Sequence, residues 1–176
     1  MMKRNNFPFS AVLGLNHAKT AILVVLVNPR AGGLLISGPR GIGKSTLMRS
    51  TQELIERPWR DIPVSITEDR LFGTIDTEKA IYSGQKKLYP GIINEADQGV
   101  LYLDDVNLLR EDLLDSILDI AEVGMYQLER DGLSLRCDTS FTVIAAINPE
   151  SGMLSGACLD QFGLFVNVDN IHDENT

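Results

Sequence analysis

Residues 38–45 have the types and spacing of a turn that binds phosphate. They read Gly-Pro-Arg-Gly-Ile-Gly-Lys-Ser and satisfy the pattern G-x-x-x-x-G-K-[ST] in full. Small residues let successive backbone N–H groups curl around phosphate oxygens at the start of a helix, where the helix dipole also favours negative charge. An ordinary glycine-rich turn is the competing interpretation, but an apolar run precedes the pattern and a helical stretch opening at Thr46 follows it, as a phosphate site requires.

Each residue of this segment is assigned a part in holding a nucleotide triphosphate. We expect the Lys44 ammonium to contact the β and γ phosphates, and the Ser45 hydroxyl to be a ligand of Mg²⁺. The predicted nucleotide-binding residues are Gly38, Pro39, Arg40, Gly41, Ile42, Gly43, Lys44, Ser45 and Thr46.

Two adjacent carboxylates follow a second apolar run. Residues 100–103 read Val-Leu-Tyr-Leu and end in Asp104 and Asp105, 60 residues after Lys44. We expect Asp104 to bind Mg²⁺, directly or through water. Asp105 is expected to orient or deprotonate the attacking water, a role worth roughly 10² to 10⁴ in rate. Alone, an Asp-Asp pair after a strand is more typical of a turn or a helix cap, so the functional interpretation depends on the phosphate loop.

A third apolar run, residues 141–147, ends in Asn148-Pro149-Glu150. Its position predicts that the Asn148 amide points toward the same crevice, where it would position the lytic water near the γ phosphate. Without the other two motifs, Asn-Pro would indicate only the start of a turn.

The elements that must position these residues alternate between strand and helix. The clearest helix is predicted over residues 108–123, because Leu109, Leu113, Ile117 and Ala121 repeat every four residues before Gly124. Residues 125–136 indicate a hairpin that turns at Asp131 and Gly132. Strands are predicted at residues 33–37, 100–104, 141–147 and 164–168, with a weaker one at 63–66. This order predicts an α/β fold, a parallel sheet with helices on both faces and one inserted hairpin, whose ligands bind beyond the carboxyl ends of the strands.

Composition excludes several classes of protein. The 176 residues are 44% hydrophobic and 23% charged, which favours one globular domain over the whole chain, residues 1–176. A net charge of −8 argues against nucleic acid as a partner. The longest aliphatic run, residues 21–27, is too short to cross a membrane. Two cysteines without metal-ligand spacing favour a reducing, cytoplasmic location.

These motifs together resemble the AAA+ ATPase superfamily, and within it the magnesium chelatase family. The resemblance covers residues from about 7 to 169. It is carried by residues 7–10, 28–30, 67–70, 73–76, 90–91, 104–109, 129–132 and 148–150, together with the phosphate loop. It implies a P-loop AAA+ core that binds ATP and Mg²⁺ and assembles into a ring. It also implies a second AAA+ chelatase subunit and a porphyrin-binding catalytic subunit as partners, and the latter would insert Mg²⁺ into protoporphyrin IX.

The sequence departs from this family in three places. The family usually has Glu where this chain has Asp105, whose carboxylate is one methylene shorter, so we expect slower hydrolysis. The family pattern has an arginine finger at the position of Gln161, and a missing finger can cost roughly 10³ to 10⁵ in turnover. The helical lid domain that closes over the nucleotide is absent from the 176 residues, which predicts that it lies on another chain or that the sequence is a fragment.

Three functions stay open at this point. The chain is an active ATPase motor, a nucleotide-binding ring-assembly module with weak or no hydrolysis, or a related AAA+ ATPase that remodels proteins. The phosphate chemistry is shared by all three, so the motifs alone do not separate them.

Overall fold

The computed structural model describes residues 7–75, 88–130 and 132–168. Its centre is a five-stranded sheet in which every neighbouring pair of strands is parallel. The strands of the described residues are β1 Leu34–Ser37, β2 Trp59–Ile62, β3 Gly73–Ile75, β4 Leu88–Pro90, β5 Val100–Leu103, β6 Met125–Arg130, β7 Leu133–Asp138, β8 Thr142–Ile147 and β9 Leu164–Asn167. The order across the sheet is β2-β5-β8-β1-β9.

Helices cover both faces of this sheet, as the alternation of elements predicts. The α-helices of the described residues are α1 Asn16–Val27, α2 Lys44–Thr51, α3 Glu68–Phe72, α4 Ile92–Glu95, α5 Glu111–Val123 and α6 Gly156–Asp160. In β1, Leu34 packs in one apolar cluster with α1 and α2, and Leu35 packs in the other cluster with α5. Both leucines are fully buried, because successive side chains of a strand point to opposite faces. The predicted α/β architecture is therefore confirmed.

The aliphatic run at residues 21–27 forms most of α1. Ile22 and Val25 are fully buried against the sheet, whereas Val27 at the end of the helix is exposed. None of the helices in the described part of the chain combines the length and the apolar character needed to cross a bilayer.

The α5 helix begins three residues later than its apolar repeat predicts. Residues Val106–Leu108 form a 3-10 turn and Leu109 is extended, with ψ at 148°. Leu109 is nevertheless buried with Leu113 and Ile117, so burial continues through the turn and hides the helix start from a pattern analysis. The predicted end is right, since Gly124 has a φ of 79° and its N–H donates to the Ile120 carbonyl.

The weak strand predicted at residues 63–66 is wrong. The edge strand is Trp59–Ile62 instead, paired in parallel with β5. Pro63 has no N–H for the ladder, and the carbonyl of Pro63 accepts a hydrogen bond from the N–H of Ile66 at 3.0 Å, closing a turn. The other four predicted strands match β1, β5, β8 and β9 to within one residue.

The predicted hairpin is confirmed. Strands β6 and β7 are antiparallel, with Met125 opposite Asp138 and Arg130 opposite Leu133. Gly132 has a φ of +75°, which an L side chain rarely adopts. Asp131, the other predicted turn residue, lies outside the described residues. A second antiparallel pair, β3 with β4, was not predicted.

Candidate nucleotide-binding site

The three predicted motifs meet at one edge of the sheet. The phosphate loop follows β1, the two carboxylates follow β5, and Asn148 follows β8, which lies between β1 and β5. Because all three strands are parallel, their carboxyl ends share this edge. We call it the carboxyl edge.

The loop between β1 and α2 depends on glycine at defined points. A Cβ at Gly38 would lie 2.5 Å from both the carbonyl oxygen and a side-chain carbon of Val168, which follows β9. Gly41 and Gly43 have φ values of +82° and +96°, a region that costs an L residue roughly 1–2 kcal/mol. Gly43 immediately precedes α2, so the tight loop leads directly into a helix N-terminus.

Lys44 is held by the loop itself. Its side chain is buried, and its Nζ donates to the carbonyl oxygens of Gly38 at 2.5 Å and Pro39 at 2.9 Å. Burial lowers the pKa of Lys44, while the carboxylates of Asp105 and Asp104 act in the opposite direction. The ammonium therefore lies at the mouth of the loop with two acidic groups near it.

Ser45 and Asp104 form the contact expected of a Mg²⁺ site. The Ser45 hydroxyl donates to Oδ2 of Asp104 at 2.9 Å, although 59 residues separate the two in sequence. Both are oxygen donors, which Mg²⁺ prefers. Within the described ranges, no group of three or more His, Cys, Asp or Glu side chains could hold a metal ion. The residues thus fit an ion that takes one or two protein ligands and completes its shell with phosphate oxygens and water.

A cavity of about 250 Å³ opens over these residues. Its lining includes Asp105, whose backbone is left-handed with φ and ψ both at 48°. Asp tolerates this conformation better than most residues because its short side chain can hydrogen-bond locally. The cavity is lined by Arg40, Gly41, Gly43, Lys44, Ser45, Thr46, Asp104 and Asp105.

Three predicted residues lie beside the cavity and do not line it. Gly38 and Pro39 supply the carbonyls that hold Lys44, and Ile42 packs on the apolar cluster beneath α1 and α2. Their place in the loop is consistent with a structural part in the cradle.

Asn148 lies at the carboxyl edge but its amide is engaged locally. The side chain is buried, its Oδ1 accepts from the Glu150 N–H at 3.2 Å, and its Nδ2 donates to the Ser151 hydroxyl at 3.1 Å. These bonds cap the 3-10 turn Pro149–Ser151. The structure does not bring Asn148 into the lining of the cavity, and its role toward water stays a prediction.

Tyr102 is a polar residue of this edge that the motif analysis did not single out. It precedes Asp104 by two residues on β5, and burial, followed by the Asp104 carboxylate, raises its pKa. The period of two in a strand was the available signal, because it places residues 102 and 104 on the same face.

Gln161 lies at the opposite end of the sheet. It follows α6 and lines a depression of about 610 Å³ formed at the amino ends of β1, β8 and β9 and the end of α5. Its Oε1 is buried and has no hydrogen-bond partner among the described residues. We call this end the amino edge.

Comparisons with known proteins agree with this architecture. The chain is 36% identical to the magnesium-chelatase 38 kDa subunit of Cereibacter sphaeroides, over 97% of this chain and 61% of the relative. It is 34% identical to a magnesium-chelatase subunit ChlI homolog of Methanocaldococcus jannaschii, over 98% of this chain and 58% of the relative. The chain thus spans about 60% of the length of the curated relatives it matches.

A solved structure has the same fold. It is the complex between subunits BchI and BchD of magnesium chelatase, with a TM-score of 0.84 at 36% identity over 98% of this chain and 64% of that chain. The family model "AAA domain (dynein-related subfamily)" matches residues 33–161, from the residue before β1 to Gln161. The resemblance to magnesium chelatase subunits is therefore confirmed, and the chain belongs to the AAA domain family.

Proposed function

We propose that this chain is an AAA+ ATPase that binds Mg-ATP and acts as the motor subunit of a magnesium chelatase. ATP hydrolysis here would drive insertion of Mg²⁺ into protoporphyrin IX by a partner subunit. The observation that carries the proposal is the 2.9 Å contact between Ser45 and Asp104 beside the glycine loop, in a chain similar to magnesium chelatase subunits. Metal insertion itself is assigned to the partner.

The chain's own groups bind the nucleotide. The backbone N–H groups of the loop and the start of α2 face the phosphates, and Lys44 moves its hydrogen bonds from the loop carbonyls to phosphate oxygens. Ser45 and Asp104 hold Mg²⁺, which neutralises charge on the β and γ phosphate oxygens. Residues 38–46 are thus proposed to bind ATP, with Ser45 and Asp104 as the metal site.

Hydrolysis requires a water molecule aligned with the γ phosphate. We assign its orientation and deprotonation to the Asp105 carboxylate, which lines the cavity. Asn148 is the second proposed residue of this step, because it follows the strand between the loop strand and the carboxylate strand.

Partners follow from the relatives. One solved neighbour is a complex of two chelatase subunits, which supports assembly of this chain with itself into a ring and with a second AAA+ subunit. We further propose a porphyrin-binding catalytic subunit as the third component. A cytoplasmic location is proposed because both Cys137 and Cys158 are buried, free thiols. The AAA+ core domain is proposed to extend over residues 1–176.

Two observations favour a second candidate, a ring-assembly module that hydrolyses ATP weakly. Asp105 is shorter than the Glu that the chelatase resemblance implies, and Gln161 is neutral where that resemblance implies an arginine finger. Such a chain would bind Mg-ATP with the same residues and use it to organise the ring.

Phosphate release separates the two candidates. Wild-type chain is assayed with Mg-ATP beside Asp104→Ala and, as a control at the hairpin, Asp138→Ala. The motor predicts turnover that Asp104→Ala abolishes and Asp138→Ala leaves intact. Tight ATP binding without wild-type turnover would favour the assembly module. A motor of a chelatase is also stimulated by a porphyrin-binding partner, whereas turnover indifferent to that partner indicates an AAA+ ATPase that remodels other proteins.

A further inference from the structure

The Tyr102 hydroxyl is an exception in an otherwise satisfied interior. Tyr102 is 5% exposed, and its Oη has no hydrogen-bond partner among the described residues. A buried hydroxyl without a partner costs free energy that a phenylalanine of the same shape would avoid. The hydroxyl therefore needs an explanation other than packing.

A second buried tyrosine shows what packing alone looks like. Tyr126 on β6 donates its hydroxyl to the Phe72 carbonyl at 2.7 Å, and the Asn94 Oδ1 lies 2.6 Å from the same oxygen. That hydroxyl is satisfied within the fold and lies on the face of the sheet covered by α5. The two tyrosines form a matched pair that differs in what each hydroxyl contacts.

Tyr102 lies on the face of β5 that leads to the metal ligands. Its ring packs with the apolar cluster of α1 and α2, and α2 begins with Lys44 and Ser45. The Trp59 ring of the neighbouring strand lies 5.9 Å away at 40°, which fixes the phenol from the side. The carboxylate of Asp104 and the hydroxyl of Ser45 both act on the pKa of Tyr102, so its hydroxyl lies close to the two proposed ligands of Mg²⁺.

We propose that Tyr102 is a positioning residue for the metal site, whose hydroxyl donates a hydrogen bond to the Asp104 carboxylate when Mg-nucleotide is bound. The hydrogen bond fixes the orientation of the carboxylate that would otherwise be held from one side by Ser45 alone. Groups that orient a metal ligand affect metal affinity without touching the metal. This inference rests on the proposed Mg-ATP site.

The test compares Tyr102→Phe with Tyr126→Phe in the full chain. Binding of a fluorescent ATP analogue is measured in EDTA, and Mg²⁺ is then titrated into the nucleotide complex. We expect Tyr102→Phe to raise the Mg²⁺ concentration at half-saturation about 10-fold and to leave affinity in EDTA within about twofold of wild type. Tyr126→Phe should leave both quantities unchanged.

Thermal unfolding without nucleotide provides the second readout. Tyr102→Phe removes an unpartnered hydroxyl and should keep or raise Tm, whereas Tyr126→Phe loses two hydrogen-bond contacts and should lower it. An unchanged Mg²⁺ requirement in Tyr102→Phe, or an equal loss of affinity with and without Mg²⁺, would overturn the inference. Wild-type chain that binds no nucleotide at all would instead refute the proposed function on which it rests.

Discussion

The carboxyl edge and the amino edge of the sheet differ in what one chain supplies. At the carboxyl edge, a cavity of about 250 Å³ is lined by glycines and by charged groups, Lys44, Asp104 and Asp105 among them. At the amino edge, a depression of about 610 Å³ contains the neutral, unpartnered Oε1 of Gln161. The groups proposed to grip a nucleotide thus come from a single chain. A group that acts on a neighbour's nucleotide across a ring would have to come from the amino edge, and there this chain offers an amide.

Electrostatics explains why the two edges carry different consequences. Phosphate oxygens need cations and N–H donors at fixed positions, and a short loop leading into a helix supplies both. A transition state that develops further charge gains most from an additional cation aimed at it. An amide cannot provide that charge, so loss of the cation should affect turnover far more than binding.

The largest effect is expected from removing the cation of the carboxyl edge. Lys44→Ala should weaken ATP binding by about 100-fold, because charge-assisted hydrogen bonds to two phosphates are lost. A fluorescent-nucleotide titration measures the change. Arg136→Ala removes an exposed positive charge on the hairpin, paired with Asp138, and should leave the affinity unchanged. If both variants bound equally well, the carboxyl edge would not be the grip.

A smaller effect is expected from adding a cation at the amino edge. Gln161→Arg should raise ATP turnover about 10-fold or more when chains assemble, with little change in nucleotide affinity. Phosphate release at increasing protein concentration measures it, since action between chains grows with assembly.

A double variant tests whether the effect acts between chains. Lys44→Ala/Gln161→Arg has the added arginine but lacks the nucleotide grip, and mixed with wild-type chain it should raise the turnover of the mixture. The single variant Lys44→Ala in the same mixture should not. A flat response in both mixtures would mean that Gln161 does not account for slow hydrolysis.

The smallest effect is expected at Asp105. Asp105→Glu extends the carboxylate toward water and should raise turnover about 3- to 10-fold, while costing about 1 kcal/mol of stability because the backbone there is left-handed. Asp105→Asn should lose turnover and keep its stability, since Asn tolerates that conformation. Phosphate release and thermal unfolding separate the two quantities. An Asp105→Asn chain that retained full turnover would remove Asp105 from the mechanism.

The sequence predicted the carboxyl edge well because its determinants are local. Glycine spacing, the strand before it and the helix after it are all contained in about 20 residues, and buried parallel strands appear as short apolar runs. The hairpin was equally accessible, since its two strands and Gly132 are adjacent in the chain.

The failures occurred where distant contacts decide. Trp59–Ile62 is a strand because β5 pairs with it, which local propensity does not reveal, and Pro63 then ends it. The start of α5 was misplaced because Leu109 is buried by tertiary packing while extended. The local bonds of Asn148 and the unpartnered hydroxyl of Tyr102 depend on side-chain placement, so no motif reports them.

Calorimetric titration of ATP into the purified chain, with and without Mg²⁺, tests the central claim most directly. The account predicts heat of binding at one nucleotide per chain, tighter binding with Mg²⁺, and loss of the Mg²⁺ effect in Asp104→Ala. Absence of any heat for adenine nucleotides in either condition would contradict it.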